Sequence, residues 1–215
     1  MEVYERRDGE NGELVLRGDG RHLEIISNGV FLMDTRAGES ERLLVRAPLE
    51  RLARPADVLI GGLGVGFTLA EALRSPYARS VTVIEREPAV IGWHETHLRP
   101  FSGGALSDPR VRVERADLAA WLRTSTAAFD AVCLDIDNGP DWTVTEGNAA
   151  LYGPEGLALL AGRLRPGGVL AVWSAGAAPV FEALLRERFA DVAAHAVPVP
   201  RGEPDVVYLA SARPA

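Results

Sequence analysis

Acidic side chains crowd one short stretch: Asp135, Asp137 and Asp141 place three carboxylates within seven residues, and Glu146 follows. Carboxylates held this close repel one another, so the segment calls for a compensating cation. A protonated amine or a sulfonium would supply it. Gly139-Pro140 and Trp142 lie within the same run and read as a shaped segment over a binding place. Asp137, Asp141 and Trp142 are therefore candidate substrate contacts, and Asp135 stands directly after an apolar run, Ala131 to Leu134.

Three further positions have types and spacing suited to a nucleoside ligand. Gly62, Gly64 and Gly66 follow Val58-Leu59-Ile60 and lead into a helical pattern. Glycines there let the backbone turn tightly and approach a ligand with no Cβ in the way. A nicotinamide fingerprint, G-x-G-x-x-G, would need a third glycine where Phe67 stands, whereas G-x-G-x-G fits the turn of S-adenosylmethionine (SAM) folds. Glu85 ends the next apolar run, 19 residues beyond Gly66, where a carboxylate can accept two hydrogen bonds from ribose hydroxyls. Asp117 opens a helix after the following run; it reads either as an N-cap or as an acceptor from an adenine amino group.

Such residues need a scaffold that brings strand ends together. From position 57 onward, apolar runs at Val58–Ile60, Val81–Ile84, Val111–Val113, Ala131–Leu134 and Val169–Val172 alternate with helical patterns such as Leu69/Leu73 and Leu157/Leu160/Ala161/Leu164. Continuous apolar strands separated by helices imply an α/β, doubly wound, Rossmann-like and mostly parallel sheet, seven-stranded once a final antiparallel pair (Val192–Val199 and Val206–Ala210) is included. Before it, Leu14–Leu16, His22–Ile26 and Val30–Met33 read as hairpin strands, joined by turns such as Asn28-Gly29. The expected organisation is a small β-hairpin domain over 1–37, a connecting helix over 38–54, and the α/β domain over 55–215.

Composition narrows the partners. The 215 residues contain 23 basic and 30 acidic side chains, for a net charge of −7, and all 23 basic residues are Arg. Without Lys, a Walker A loop and a Schiff-base lysine are excluded. The acidic balance disfavours nucleic acid and favours a cationic small molecule. The single cysteine, Cys133, excludes an internal disulfide and a Cys-based zinc cluster, and reads as a buried small hydrophobe. His94 and His97 read as a surface pair, so no metal is expected. No apolar h-region and no stretch of about 18 apolar residues is present, which leads to the expectation of a cytoplasmic protein with no membrane partner.

Taken in order from Leu14 to Trp173, these segments resemble the spermidine synthases, polyamine aminopropyltransferases built on the class I SAM-methyltransferase fold. The family's G-G-G-D-G-G turn is matched by Gly62-Leu63-Gly64-Val65-Gly66-Phe67, and its V-E-I-D signature by Val83-Ile84-Glu85-Arg86-Glu87 with a small offset. D-P-R-V appears as Asp108-Pro109-Arg110-Val111. Phe129-Asp130-Ala131-Val132-Cys133-Leu134-Asp135-Ile136-Asp137 corresponds to Y-D-V-I-x-x-D-S-x-D, and Arg165-Pro166-Gly167-Gly168 falls where the family has it. The resemblance implies that Glu85 holds a ribose, Asp117 an adenine amino group, and Asp135 acts as the catalytic carboxylate. Chemistry agrees on Asp135, since an amine attacking a sulfonium-bound carbon must be unprotonated and aligned. It also implies SAM or decarboxylated SAM as co-substrate and a homodimer formed through the N-terminal hairpins.

The departures are Val65 in place of the turn's Asp, Gly38-Glu39-Ser40-Glu41-Arg42 in place of D-x-x-Y-H-E, and a second Asp one residue out of register, near Asp137 or Asn138. Aminopropyl transfer to an amine-bearing small molecule is the leading expectation. Methyl transfer on the same fold comes next, and a non-catalytic binding or assembly protein comes last.

Overall fold

The computed structural model describes residues 1–143 and 146–213 apart from the Glu146 side chain, so the carboxylate expected at 146 lies outside the described residues. Four antiparallel strands come first, paired in chain order: β1 (Glu2–Gly9), β2 (Gly12–Gly18), β3 (Leu23–Ser27) and β4 (Val30–Asp34). Asn28 and Gly29 have φ of 49° and 79°, the type I′ geometry for a two-residue hairpin between Ser27 and Val30. The sequence pattern leads to β2, β3 and β4 but not to β1. That strand reads EVYERRDG, and it forms as an edge strand whose backbone pairs with β2 while most of its side chains stay in water.

After it come α1 (Glu39–Leu52), β5 (Ala56–Gly61), α2 (Phe67–Arg74), β6 (Ala78–Glu85), α3 (Pro88–Trp93), α4 (Arg99–Ser102) and β7 (Val111–Arg115). The second half contains α5 (Leu118–Thr124), β8 (Phe129–Leu134), α6 (Pro154–Gly162), β9 (Leu164–Ser174), α7 (Pro179–Arg188), β10 (Ala190–Val197) and β11 (Asp205–Ser211). Leu164, which the helical spacing groups with α6, is the first residue of β9 because the helix ends at Gly162.

The seven strands of the second sheet lie in the order β10-β11-β9-β8-β5-β6-β7. Only β11 runs against its neighbours, β9 and β10; every other pairing is parallel. This is the doubly wound, Rossmann-like arrangement with a separate N-terminal antiparallel sheet. Its central strands β5 and β8 are buried on both sides, while the edge strands β7 and β10 are not, and the alternation is visible residue by residue. In β5, Val58 and Ile60 enter one core and Leu59 the other; in β8, Ala131 and Cys133 oppose Val132 and Leu134. One core is closed by α1, α2 and the N-terminal sheet, the other by α5, α6 and α7. Helix α1 is therefore more than a connection: it packs on β8, β9 and β11 and beside α2. That packing buries Leu44, Val45 and Leu49. Cys133 is buried beneath it, its Sγ donating to the Leu44 carbonyl at 3.5 Å, and burial pushes the thiol up. No helix among the described residues is long and apolar enough to cross a membrane.

Candidate active site

From β5 the chain builds outward through β6 and β7, then returns to place β8 and β9 on the other side. Adjacent connections leave β5 and β8 in opposite directions, which opens a crevice at their carboxyl ends. A cavity of about 750 Å³ occupies that crevice, with Gly62, Gly64, Glu85, Asp117 and Asp135 in its wall. The hairpin of β3 and β4 covers it, contributing Ile25, Val30, Phe31 and Met33.

The glycine turn has the geometry its sequence suggests. Gly62 has φ of 89°, and a Cβ there would stand 2.1 Å from the backbone oxygen of Asp135. At Gly64, φ is 48° and a Cβ would meet the Met33 sulfur at 2.2 Å. That sulfur accepts the Val65 N–H at 3.2 Å, so the N-terminal sheet is tied directly to the turn. Gly66 caps α2. Glu85 fastens the turn from the other side: its two carboxylate oxygens accept the Leu63 and Glu87 backbone N–H groups at 2.8 and 2.7 Å. Burial raises its pKa, against the pull of those two bonds. Each oxygen retains a lone pair for a further donor.

Asp117 bears out the first of its sequence readings, the N-cap. It is the N-cap of α5, accepting the Ala120 N–H at 2.8 Å, and it lines the cavity.

Asp135 is half-buried just beyond the end of β8, where its Oδ2 accepts the Thr68 hydroxyl at 2.6 Å. Burial, then the negative charges of Glu41 and Glu85, push its carboxyl up to about 7 against the effect of that hydroxyl. Glu41, in the first turn of α1, and Asp205, at the start of β11, join it in the cavity wall. The Ser40 Oγ stands 2.9 Å from Glu41 Oε2 and 2.7 Å from Asp205 Oδ2. Burial raises both of these carboxyls as well. Neither acid stands out in the sequence. The signal available for Glu41 is its place in the segment that aligns with D-x-x-Y-H-E; Asp205 is brought to Ser40 across 165 residues by sheet order alone.

Of the acidic run after β8, the fold brings Asp135 and Asp137 to the cavity and leaves Asp141 outside its wall. Asp137, with φ of 52°, accepts from Asn148 Nδ2 at 2.7 Å. The Asn138 carbonyl accepts the Ala175 N–H at 3.1 Å, pinning the segment to the end of β9, and Gly139 then turns Asp141 toward solvent. Trp142 is 59% exposed and lies at the cavity edge.

The histidine pair departs from expectation. His97 packs against Tyr4 and meets Glu5 Oε1 at 3.2 Å, but His94 is buried, its Nε2 bonded to the Gly64 carbonyl at 2.9 Å. A carbonyl only accepts, so Nε2 carries the proton, and burial lowers the ring's pKa. The short α3 ends at Trp93 and delivers His94 beneath the glycine turn, which spacing alone does not reveal. Among the described residues no group of three or more His, Cys, Asp or Glu side chains is arranged to hold a metal ion.

Residues 39–188 match the spermine/spermidine synthase domain. The chain belongs to that family. A polyamine aminopropyltransferase of Mycobacterium tuberculosis is 36% identical over 158 residues, covering 64% of this chain and 29% of that protein. A putrescine N-methyltransferase of Nicotiana tabacum is 32% identical over 131 residues, covering 60% of this chain and 32% of its own length. The chain thus spans about a third of the length of these curated relatives. Among solved structures, the spermidine synthase of Thermotoga maritima superposes with a TM-score of 0.78 at 19% identity, covering 98% of this chain and 72% of that one. This places the fold, N-terminal sheet included, with spermidine synthases.

Proposed function

We propose that this member of the spermine/spermidine synthase domain family transfers an aminopropyl group from decarboxylated SAM to an amine-bearing small molecule. The observation that carries the reading is a group of acids in the cavity wall that lack a salt-bridge partner. Asp135, Glu41 and Asp205 face the cavity, and among the described residues none of the three forms a salt bridge. Half-buried carboxylates gathered without a paired cation repel one another unless a ligand supplies one. An ammonium and a sulfonium fit that requirement. SAM also carries a carboxylate, which the wall repels and which the decarboxylated form lacks.

In this reading the glycine turn at Gly62, Gly64 and Gly66 admits the co-substrate close to the backbone. Glu85 accepts from its ribose hydroxyls and Asp117 from its adenine amino group. Asp135 orients the attacking amine and accepts its proton as the new C–N bond forms and the sulfur leaves as a thioether. Asp137 and Trp142 flank the acceptor, with Asp141 adding to the field outside. A second reading, methyl transfer from SAM to an amine, is favoured by Val65, which removes the turn's acid, and by the likeness to the tobacco methyltransferase.

Calorimetric titration of SAM, decarboxylated SAM and methylthioadenosine separates the two. Preference for decarboxylated SAM, with transfer to a diamine, supports the proposal; preference for SAM replaces it with methyl transfer, and binding of none of the three removes the enzyme reading. We further infer a cytoplasmic homodimer through the N-terminal sheet, where Val3, Val30 and Phe31 are exposed. Sedimentation at the mass of one chain, or recovery outside the cytoplasmic fraction, would overturn the corresponding part.

A further inference from the structure

The contacts around Ser40 contain a proton-counting problem. A serine hydroxyl has one proton to donate, yet its oxygen lies 2.7 Å from Asp205 Oδ2 and 2.9 Å from Glu41 Oε2, both within hydrogen-bond distance. If both carboxyls were ionised, one of these contacts would set a hydroxyl lone pair against an anion. The arrangement closes when Ser40 donates to one carboxylate and accepts from the other as a carboxylic acid. Thr68 repeats the motif one step away, its Oγ1 lying 2.6 Å from Asp135 Oδ2 and 3.2 Å from the Glu41 backbone oxygen.

Neither anion has a salt bridge among the described residues, although Arg86 and Arg201 line the same cavity. Asp135 from β8 and Glu85 from β6 add negative charge; Arg42, on the same helix as Glu41, is the cation that acts on it, and its guanidinium lies over the Phe67 ring at 4.3 Å. A donor also waits in the wall: Asn138 is buried, lines the same cavity, and its Nδ2 has no partner among the described residues. Unpartnered buried polar atoms of this kind are uncommon and mark a place that a ligand or water completes.

We propose that Asp205 is a positioning residue for the acceptor amine: through Ser40 it shares one proton with Glu41, and an entering ammonium group displaces that proton to solvent. One positive charge enters as one leaves, so the net charge of the pocket stays constant while the wall becomes fully anionic around the amine. The inference rests on the reading of the cavity as an amine site and adds Asp205 and Ser40 to it. Both lie outside the residues that the sequence singles out.

The test is calorimetric titration of 1,4-diaminobutane into the methylthioadenosine-loaded protein at pH 7, in buffers of low and high ionisation enthalpy. The observed heat should depend on the buffer, reporting release of about one proton per amine bound. Asp205→Asn keeps the shape and leaves a neutral donor in place of the acid. It should abolish most of that release and weaken diamine affinity about tenfold, with methylthioadenosine affinity unchanged. Ser40→Ala, which keeps both acids but removes the bridge, should likewise change the proton count and guards against misfolding of the first variant. Diamine binding with no proton release, or with the same release in both variants, overturns the relay and leaves the amine site standing. Absence of diamine binding in the unaltered protein, with methylthioadenosine still bound, overturns the amine reading itself and the relay with it.

Discussion

The two ends of the central sheet treat the same side chain in opposite ways. At the amino ends of β5 and β8, Asp57 and Asp130 are surrounded by arginine. Arg79 reaches Asp57 through two bonds of 2.8 and 2.6 Å, Arg165 touches both acids at 2.8 and 2.6 Å, and Arg54 meets Asp130 at 2.8 Å. The Arg79 hydrogen bonds hold Asp57 below the ordinary carboxylate range; Asp130 is held below it too, the Asp57 N–H and Arg54 outweighing burial. At the carboxyl ends of the same strands, Asp135 has a hydroxyl and two neighbouring acids, and its carboxyl is pushed up. One end is neutralised by arginines of the chain, while Asp135 and its neighbour Glu41 at the other form no salt bridge among the described residues. In the proposed reading the acids without salt bridges at the topological switch point serve the chemistry, whereas the paired acids opposite tie β5, β6, β8 and β9 together.

The largest effect should follow from removing the unpaired acid. Asp135→Asn keeps the bond from Thr68 and loses the proton acceptor, so turnover should fall about 10²–10⁴-fold with methylthioadenosine affinity retained. Stability should move the other way. A carboxyl held above its ordinary value favours the native state while protonated and loses that advantage as pH rises through about 4 to 7. The variant has no such loss and should be more stable than the parent at pH 8, on the order of 1 kcal/mol, with the gap closing near pH 4. Turnover rising with pH through about 7, and thermal melts over this range, check both signs. An Asn variant with undiminished turnover would remove Asp135 from the chemistry.

The backbone allows the same contrast at a smaller scale. Gly62, at the carboxyl end of β5, and Gly167, near the amino end of β9, have φ of 89° and 72°. A Cβ at Gly62 would meet the Asp135 carbonyl at 2.1 Å, while one at Gly167 would meet nothing within 4 Å. Gly167→Ala should therefore cost about 1 kcal/mol, the left-handed backbone penalty alone. Gly62→Ala adds a clash that forces β5 and β8 apart, costs on the order of 3 kcal/mol, and weakens methylthioadenosine binding as well. Denaturant melts of the two variants, with one titration each, decide it; equal costs would mean that the switch point yields easily.

The contrast also explains what a reader of the sequence can and cannot see. Asp135, Glu85 and Gly62 are legible because each directly follows an apolar strand, so local pattern and sheet topology place them together. The central strands β5 and β8 are legible because their residues are buried on both faces. Glu41 and Asp205 are hidden because their meeting depends on α1 lying beside β11, a tertiary fact with no local signature. Asp57 looks in sequence like any polar residue opening a strand, and Asp130, although it falls in the Y-D-V-I segment, carries no local sign of its arginine partners. β1 is missed for the opposite reason, since an exposed edge strand needs no apolar alternation to pair. Asp141 shows the limit of counting acids, because a turn at Gly139 separates it from Asp137 despite their nearness in sequence.

The smallest effect should come from the paired end, and its pH dependence should carry the opposite sign. Asp130→Asn can still accept the Asp57 N–H, which now reaches Oδ2 at 2.9 Å, but loses its charge toward Arg54 and Arg165. Those guanidinium groups remain 47% and 39% exposed, so water screens much of the attraction, and a loss of about 1 kcal/mol is expected. A carboxyl held below its ordinary value contributes stability above pH about 4 and loses it on acidification. The deficit of this variant should thus be full at pH 7 and fade toward pH 3, while turnover stays at the parental level throughout. Plotted against pH, melting temperatures of the two Asn variants should fall on opposite sides of the parent at pH 8 and draw together in acid. A stability gain in Asp130→Asn, or a loss in Asp135→Asn at pH 8, would mean that the two ends of the sheet are not divided between scaffold and chemistry in this way.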